Sequence, residues 1–371
     1  MRIGIDARML GGGYGIGRYL EQMILHLAKL DSKNEYVLFL KKENFDLLTL
    51  PVNFKKILVD IAWYSFAEQL KLPSAIQKEN VDLMHFPHFN VPLFYRDPYL
   101  VTIHDLIMFH YPRQEASTHG PLVYWIKDLV HRFVVKNSVH RARHIFVTSE
   151  YTKRDVHETL DISLEKMTVT YQAPFELKHL NNKGTEYILE KYGIKKPYIM
   201  YVGSAYPHKN LEGLVQAWKI FQKKYGTDYQ LVLAGKENFF YTKLKNTLLK
   251  ESQDVIYTGF VPDDQLSLLY QNALLYVFPS FYEGFGLPPL EAMTHGIPVA
   301  SSKRSCLPEV LGDAALYFDP ENLDEMADIL YKGITDEILR TVLKQNAHKL
   351  LPNYSWDTLA KQTVCCYTRG Y

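Results

Sequence analysis

The chain of 371 residues has little cysteine and no long apolar run. Three cysteines, Cys306, Cys365 and Cys366, have neither the number nor the spacing of a disulfide framework or a metal site. No stretch reaches the roughly 18 apolar residues that cross a bilayer. No apolar h-region follows the first six residues, MRIGID, which predict a strand rather than a signal peptide. We therefore expect a protein of the reducing cytoplasm.

The chain also has almost no net charge. The formal value is +1, with 47% hydrophobic and 22% charged residues, which is typical of a globular protein. Without a strongly basic field, nucleic acid is not an expected partner. The length favours two or more domains.

Short apolar runs alternate with segments of helical period. In the first half, Leu20, Met23, Ile24 and Leu27 fall on one helix face. The strands predicted there are Ile3–Asp6, Tyr36–Leu40, Asp82–Phe86, Tyr99–His104 and Ile145–Thr148. The alternation indicates a parallel sheet covered by helices on both faces.

The pattern restarts near residue 198. The strands predicted in this half are Tyr198–Val202, Tyr229–Ala234, Val255–Thr258, Leu274–Phe278 and Val299–Ser301. Thr170–Lys183 has no clear period and is the expected linker. We thus predict an α/β protein with two doubly wound, Rossmann-like domains facing each other across a cleft. Their ranges are 1–174 and 175–352, and a helix in 353–371 is expected to pack back on the first domain.

Glycine is concentrated just after the first strand. Gly11-Gly12-Gly13-Tyr14-Gly15-Ile16-Gly17 lets the backbone approach a ligand, and a helix beginning near Gly17 offers free N–H groups to an anion. The spacing does not match G-x-G-x-x-G in any frame, so a dinucleotide is not favoured. A flexible turn is the structural alternative.

The second series opens in a similar way. Val202-Gly203-Ser204 ends a strand, and Asn210 is a plausible N-cap of the next helix. Lys209 opposes the dipole of that helix, which suits a site where a phosphate lies between them. A solvated lysine is the alternative.

The stretch Ser280–Val299 carries two glutamates, Glu283 and Glu291, around two glycines and a proline pair. The prolines suit a first helical turn and Gly296 suits the C′ position, which predicts a two-turn helix with Glu291 in its first turn. The amides of Phe285, Gly286 and Leu287 would bind an anion or a hydroxyl oxygen, and the carboxylates would accept bonds from sugar hydroxyls. For each glutamate alone, solvation of Glu283 or the helix dipole at Glu291 is the better explanation, but the spacing, the glycines and the position at a strand's carboxyl end together favour a ligand site.

At this point the sequence resembles glycosyltransferase family 4, the retaining enzymes with the GT-B fold. The family's E-x7-E motif corresponds to Glu283–Glu291, and the other matching motifs occur in the family's order. They are Gly15-Ile16-Gly17-Arg18-Tyr19, Thr102-Ile103-His104-Asp105-Leu106, Val202-Gly203, His208-Lys209-Asn210 and Thr258-Gly259-Phe260-Val261. Among relatives, the chain looks most like bacterial mannosyltransferases of O-antigen assembly.

The resemblance implies a role for each matching residue. Glu291 would bind the ribose hydroxyls, Glu283 the transferred sugar, and Lys209 the diphosphate. His104 would contact the donor sugar as the active-site histidine. The remaining donor-binding positions are Gly15, Ile16, Gly203, Ser204, Phe260, Val261, Phe285, Gly286 and Leu287. Many relatives have an arginine where this chain has Ser204, so Arg304 is a speculative helper.

The same resemblance implies the reaction and its partners. The substrates would be a nucleotide sugar, with GDP-mannose as the first choice, and a glycan or lipid-linked glycan of cell-surface polysaccharide assembly. No D-x-D is present, so we expect no metal and no cofactor. A UDP-sugar-dependent transferase (glucosyl or N-acetylglucosaminyl), a glycoside hydrolase and a non-catalytic nucleotide-sugar-binding protein are the alternatives. We expect a monomer.

The acceptor is expected on the first domain. Candidate residues are Arg8, His85, His88, Phe89, Asn90 and the segment 110–119. Pro121–His144 carries five cations beside apolar residues such as Trp125 and Phe133. We expect its apolar side to pack on the core. A basic amphipathic helix lying on an anionic membrane is the alternative, which would make the protein peripheral on the inner face of the membrane.

Overall fold

The computed structural model describes residues 1–11, 15–112, 121–175, 184–252 and 254–369. Contacts divide them into two compact units. The first unit comprises the residues up to Phe109, those from 121 to Gln172 and those from Ser355 onward. The second comprises Ala173–Tyr354 with residues 110–112. Within the described ranges, no helix combines the length and hydropathy needed to cross a bilayer.

The first unit is built on a seven-stranded parallel sheet. Its strands are β1 (Arg2–Asp6), β2 (Glu35–Leu40), β3 (Phe54–Leu58), β4 (Leu83–Phe86), β5 (Tyr99–Ile103), β6 (His144–Val147) and β7 (Met167–Val169). The order β3-β2-β1-β4-β5-β6-β7 is that of a doubly wound sheet, with its switch point between β1 and β4. Every residue of β4, β5 and β6 is buried, because helices cover both faces.

Six α-helices of the described residues belong mainly to this unit. They are α1 (Ile16–Leu30), α2 (Phe66–Lys78), α3 (Ile107–His110), α4 (Pro121–Arg141), α5 (Glu150–Leu160) and, from the end of the chain, α14 (Trp356–Thr368). The predicted face of α1 is fully buried. The terminal helix α14 packs against α1, where His26 Nδ1 lies 2.5 Å from Asp357 Oδ1. Inside the unit, the hydroxyl of Tyr367 on α14 lies 2.6 Å from His85 Nδ1.

The second unit repeats the arrangement with six strands. They are β8 (Tyr198–Val202), β9 (Gln230–Ala234), β10 (Val255–Gly259), β11 (Leu275–Phe278), β12 (Val299–Ser302) and β13 (Ala315–Phe318). All pairs are parallel, and the order is β10-β9-β8-β11-β12-β13. The switch point lies between β8 and β11.

The helices of the second unit connect these strands. They are α6 (Thr185–Lys191), α7 (Leu211–Tyr225), α8 (Phe239–Thr247), α9 (Asp263–Asn272), α10 (Leu287–Thr294), α11 (Leu307–Leu311), α12 (Leu323–Thr335) and α13 (Glu337–Leu350). The predicted apolar face of α7, which includes Leu214 and Trp218, is fully buried. The fold-class prediction of two doubly wound α/β sheets is therefore confirmed.

The expectation for α4 is wrong over its first half. Trp125, Ile126, Leu129 and Phe133 were expected to pack on the core, but each is exposed, Trp125 and Phe133 by 59% and 61%. Only the second half reaches the core, through Val135 and other residues. The sequence has apolar residues around the whole helix, so the buried side was not determined by periodicity.

Candidate active site

The candidate site of the second unit lies where the chain leaves β8 and β11. Two neighbouring strands whose connections run in opposite directions leave a crevice beyond their carboxyl ends, and ligands bind there in open α/β sheets. The loop after β8 runs from Gly203 to Asn210, and the loop after β11 from Pro279 to Gly286. The backbone N–H of Phe281 donates to the carbonyl of His208 at 2.7 Å, which joins the two loops.

Lys209 and Glu283 form an ion pair in this crevice. Lys209 Nζ lies 2.6 Å from Glu283 Oε1, with the lysine side chain 17% and the glutamate side chain 8% exposed. The ammonium also lies 5.4 Å from the centre of the Phe278 ring. The sequence predicted both residues at the site but not their pairing. Glu283 therefore supplies a charge partner to the lysine that opposes the helix dipole.

The backbone of Glu283 is held by hydrogen bonds to Ser305 and Cys306. Its N–H donates to Ser305 Oγ at 3.0 Å, and its carbonyl accepts from Cys306 Sγ at 3.2 Å. Burial raises the pKa of the Cys306 thiol, so the sulfur keeps the proton that it donates. Ser305 adopts a φ of 54°, in the left-handed region. Sequence reasoning missed both residues, because no local pattern shows which loop packs beneath Glu283.

Asn210 begins α7, as predicted, but its side chain does not cap the helix. Its backbone has a φ of 55°, and its side-chain amide donates to the carbonyls of Pro279 and Pro320 at 3.3 and 2.9 Å. Asn210 thus occupies the predicted N-cap position, but these tertiary bonds replace a side-chain capping bond. Asn210 instead fixes the β11 loop beside Lys209.

Gly203 and Ser204 continue directly from β8. Gly203 has a φ of 151°, and a Cβ atom there would lie 2.6 Å from the Tyr201 hydroxyl oxygen. That hydroxyl donates to the carbonyl of Ser204 at 2.8 Å, and the Tyr241 hydroxyl donates to the carbonyl of Gly203 at 2.9 Å. Two buried tyrosines thus hold this strand end in place and leave no room for a side chain at position 203.

Helix α10 begins at Leu287, immediately after Gly286 with a φ of 92°. The two-turn length, the prolines in the first turn and the positive φ of Gly296 are as predicted. The placement of Glu291 in the first turn is wrong. The helix begins one residue before the proline pair, so Glu291 lies in the second turn, where it is 8% exposed.

Because Pro288 and Pro289 have no N–H, the N–H of Leu287 is the donor in the first turn of α10 that no bond within the helix can satisfy. Phe285 is buried just before it. Near the end of β10, Phe260 is half exposed whereas Val261 is buried. Arg304, the speculative phosphate ligand, pairs instead with Glu321 at 2.6 Å and Asp319 at 3.2 Å.

In the first unit, a small cavity lies at the switch point between β1 and β4. It is lined by Asp6, Arg8, Met9, Phe86, Pro87, His88 and Asn90, which include the three predicted acceptor-side residues. Arg8 is only 1% exposed, and its guanidinium binds Asp6 at 2.7 Å and Glu68 at 2.6 Å. The amide of Asn90 donates to the same Glu68 oxygen at 2.9 Å.

These contacts correct part of the acceptor prediction. Arg8 is occupied by two carboxylates, so it holds the wall of the cavity together instead of offering a free cation. Glu68, which is completely buried, was missed because nothing in its sequence context predicts burial. His88 is half-buried, and its Nδ1 has no hydrogen-bond partner among the described residues. Burial and the nearby His104 and His131 lower the pKa of His88 to about 3.

His85 is wrong as an acceptor contact. Its side chain has no exposed surface and lies between the Tyr367 hydroxyl and Thr102 Oγ1, at 2.6 and 2.8 Å. Phe89 packs its ring against His88, with the ring centres 3.8 Å apart. Of the segment 110–119, residues 113–119 lie outside the described ranges. Gly15 and Ile16 form the N-cap and first residue of α1, whereas 12–14 also lie outside.

His104 follows β5, and protein atoms surround both of its ring nitrogens. Nε2 lies 2.9 Å from the carbonyl oxygen of Pro87, and the amide nitrogen of Gln172 lies 3.3 Å from Nδ1. The Tyr19 ring meets the imidazole edge to face at 4.7 Å. Burial lowers the pKa of His104 to about 4, so the ring is neutral at pH 7. The proton then lies on Nε2, which donates to Pro87.

Comparison of the sequence with known proteins identifies its family. The model described as Glycosyltransferase Family 4 matches residues 14–173, and that described as Glycosyl transferases group 1 matches residues 185–350. The O-antigen chain mannosyltransferase B of Escherichia coli is 27% identical over 379 residues, covering 95% of each chain. The O-antigen chain mannosyltransferase RfbU of Salmonella typhimurium is 29% identical over 71% of this chain and 67% of its own.

A solved structure shares the fold across the whole chain. Sucrose-phosphate synthase from Thermosynechococcus elongatus superposes with a TM-score of 0.76 at 19% identity, covering 99% of this chain and 98% of its own. This shows the GT-B fold. The chain is therefore a glycosyltransferase, with a family 4 domain in its first half and a group 1 domain in its second.

Proposed function

We propose that the protein transfers mannose from GDP-mannose, with retention of anomeric configuration, to a glycan or lipid-linked glycan in cell-surface polysaccharide synthesis. The observation that carries the proposal is the Lys209–Glu283 pair at the switch point of the second sheet, beside the start of α10. In the proposal, the cation serves the diphosphate and the adjacent carboxylate serves the sugar. The two mannosyltransferase relatives support mannose as the transferred sugar.

In this reaction the bond between the sugar C1 and the diphosphate oxygen breaks, and a bond from C1 to the acceptor oxygen forms on the same face. The acceptor proton passes to the departing phosphate oxygen, and GDP leaves. Negative charge develops on the diphosphate, so Lys209 and the N–H of Leu287 at the start of α10 stabilise the leaving group. No step requires a metal ion, so we propose metal-independent transfer.

Glu283 and Glu291 have different tasks in this proposal. Glu283, fixed by Ser305 and Cys306, accepts hydrogen bonds from sugar hydroxyls and orients C1. Glu291, one turn into α10, accepts bonds from the ribose. Gly203, Ser204, Phe285, Gly286 and Leu287 bring the backbone to the donor, and Phe260 and Val261 contact the base.

The first unit supplies the acceptor side in this proposal. His88 and Asn90 line the cavity at its switch point, with Arg8 and Glu68 setting the wall behind them. His104 is neutral, and both of its ring nitrogens are hydrogen-bonded. We propose that its bond to the Pro87 carbonyl fixes the backbone next to His88. Donor contact by His104, Gly15 or Ile16 stays a prediction.

The test is a transfer assay with purified protein, labelled GDP-mannose and lipid-linked oligosaccharide acceptors in the presence of EDTA. We expect labelled product from GDP-mannose. The one-bond C1–H1 coupling constant of the product, measured by NMR, should identify the new linkage as α. UDP-glucose and UDP-N-acetylglucosamine serve as competing donors, and transfer from either of them alone would replace mannose in the proposal. Release of sugar from the glycan without transfer would indicate a hydrolase. Binding of GDP-mannose without turnover on any acceptor would indicate a non-catalytic protein.

A further inference from the structure

The cavity at the switch point between β1 and β4 is too small for a sugar ring. Its volume is about 10 Å³, which holds about one water-sized group. One hydroxyl of an acceptor can therefore enter it and meet His88, whose Nδ1 has no partner among the described residues. The sugar rings themselves must then lie on the protein surface outside the cavity.

Glu68 connects the wall of this cavity to the turn before α2. Its Oε1 accepts from Arg8 at 2.6 Å and from Asn90 at 2.9 Å, and its Oε2 accepts from the N–H of Tyr64 at 2.7 Å. Ser65 is the N-cap of α2, and a glutamate three residues after the cap normally bonds to the N–H of the cap itself. Here the carboxylate reaches one residue further back. A single carboxylate thus separates the backbone of Tyr64 from side chains that line the cavity.

The backbone of Tyr64 is strained. Its φ of 58° lies in the left-handed region, which is unfavourable for a bulky aromatic residue. Burial around the hydroxyl, together with the charge of Glu68, raises the pKa of Tyr64 to about 12, although 63% of the residue is exposed. The hydroxyl end therefore lies toward the protein, and the rest of the ring faces water. Because the strain brings the ring no burial, packing does not explain it, and strain of this kind is typical of ligand sites.

Aromatic surface continues from Tyr64 into α2. Phe66, the first residue of the helix, is 93% exposed, and Leu70 on the same face is also exposed. The neighbouring Trp63 is half-buried, with the ammonium of Lys41 4.7 Å from its ring centre. Exposed aromatic side chains beside a polar cavity are typical of a ligand-binding groove.

The charge of the cavity wall favours an uncharged ligand. One guanidinium, that of Arg8, faces the two carboxylates of Asp6 and Glu68, so these three groups together carry one negative charge. His88 is neutral at pH 7 because its pKa is lowered to about 3. A phosphate brought to this wall would be repelled, whereas sugar hydroxyls can donate to carboxylate oxygens.

We propose that Tyr64 and Phe66 form a platform for an uncharged glycan acceptor, on which the sugar next to the terminal one stacks. A hydroxyl of the terminal sugar then enters the cavity at His88. The apolar face of a sugar ring packs on an aromatic ring, as apolar ligand surfaces generally do. A wholly apolar partner would cover Phe66 but leave the polar groups of the cavity without a ligand. The inference rests on the proposed function, which places the acceptor at this cavity.

The test is a titration of the full chain, without donor, followed by saturation-transfer NMR. The ligands are methyl α-mannoside, α-mannobiose, and α-mannobiose phosphorylated on its terminal sugar. We expect α-mannobiose to bind at least about tenfold more tightly than the monosaccharide, and about tenfold more tightly than its phosphorylated form. Tyr64→Ala/Phe66→Ala should remove the advantage of the disaccharide and leave binding of the monosaccharide unchanged. The matched control Tyr187→Ala/Phe239→Ala removes an exposed tyrosine and an exposed phenylalanine from α6 and α8 and should bind like wild type.

The variant Tyr64→Gly separates a loss of binding from a loss of folding. Glycine adopts a φ of 58° without strain, so the urea midpoint should not fall, yet the advantage of the disaccharide should decrease. A lower midpoint with unchanged disaccharide binding would show that Tyr64 has a structural role and would overturn the proposal.

Four other results would also overturn it. They are no binding of α-mannobiose to the wild type, tighter binding of the phosphorylated disaccharide, an equal loss in the control variant, and a wild-type dimer that Tyr64→Ala/Phe66→Ala converts to a monomer with no change in sugar binding. The titration contains no donor, so a failure to transfer mannose would refute the proposed function without affecting this result.

Discussion

The ion pair between Lys209 and Glu283 allows one prediction to be worked through in numbers. The substitution Glu283→Gln removes the negative charge but keeps the size of the side chain. The bonds to Ser305 and Cys306 use the backbone of residue 283, so they remain. The change therefore isolates the loss of the counter-charge at 2.6 Å from the Lys209 ammonium.

Two opposite effects should follow. Breaking a buried ion pair by removing one partner costs about 3–5 kcal/mol. Lys209 keeps 17% of its surface in water, so we expect a decrease of about 2 kcal/mol in the free energy of unfolding. A diphosphate at Lys209 no longer competes with a carboxylate, so GDP should bind about tenfold more tightly, which is about 1.4 kcal/mol. Transfer should nevertheless fall at least about a hundredfold, because the donor sugar loses its orienting carboxylate.

Urea denaturation, calorimetric titration with GDP and the transfer assay measure the three quantities. The matched control is Glu321→Gln, which removes the exposed partner of Arg304 and should change none of them. If Glu283→Gln left GDP affinity unchanged or reduced it, Lys209 would not neutralise the diphosphate, and the reasoning about this crevice would be wrong.

Three further predictions follow from particular contacts. Glu291→Ala should weaken binding of GDP itself, with no sugar present, by about tenfold, and an unchanged dissociation constant in calorimetry would refute its ribose role. Gly286→Ala should lower the urea midpoint, because the φ of 92° is strained for alanine and its Cβ would lie 2.8 Å from Leu307; a wild-type midpoint would contradict this. Burial lowers the pKa of His85 to about 3 and that of His104 to about 4, below the unfolded value of 6.5. Between pH 6.5 and about 4, the unfolded state therefore binds more protons than the folded state. Near pH 5, each histidine should lower the free energy of unfolding by about 1.2 kcal/mol for each unit by which the pH falls. His85→Gln should lessen that slope in urea titrations, and an identical slope would count against the buried neutral ring.

The strands at the centre of both sheets were predictable because burial on two faces leaves a continuous apolar run in the sequence. The strand Tyr198–Val202 was predicted with its observed bounds. The strands that sequence reasoning missed lie at or near sheet edges. Phe54–Leu58 contains two lysines, and Met167–Val169 has only three residues, so neither shows a buried run.

The candidate site was predictable in its residue types but not in its contacts. Glycine, proline and glutamate in Ser280–Val299 indicated the loop and the two-turn helix, since their backbone preferences are local. The pairing of Lys209 with Glu283, 74 positions apart, depends on the order of the strands. The burial of Arg8 and His85 likewise depends on Glu68 and Tyr367, which come from other elements.

A crystal structure of the protein with GDP tests the central claim most directly. The account predicts a diphosphate oxygen within hydrogen-bonding distance of Lys209 Nζ, an adjacent oxygen at the N–H of Leu287 at the start of α10, and a ribose hydroxyl on the carboxylate of Glu291. GDP bound elsewhere, with Lys209 still paired only to Glu283, would contradict it.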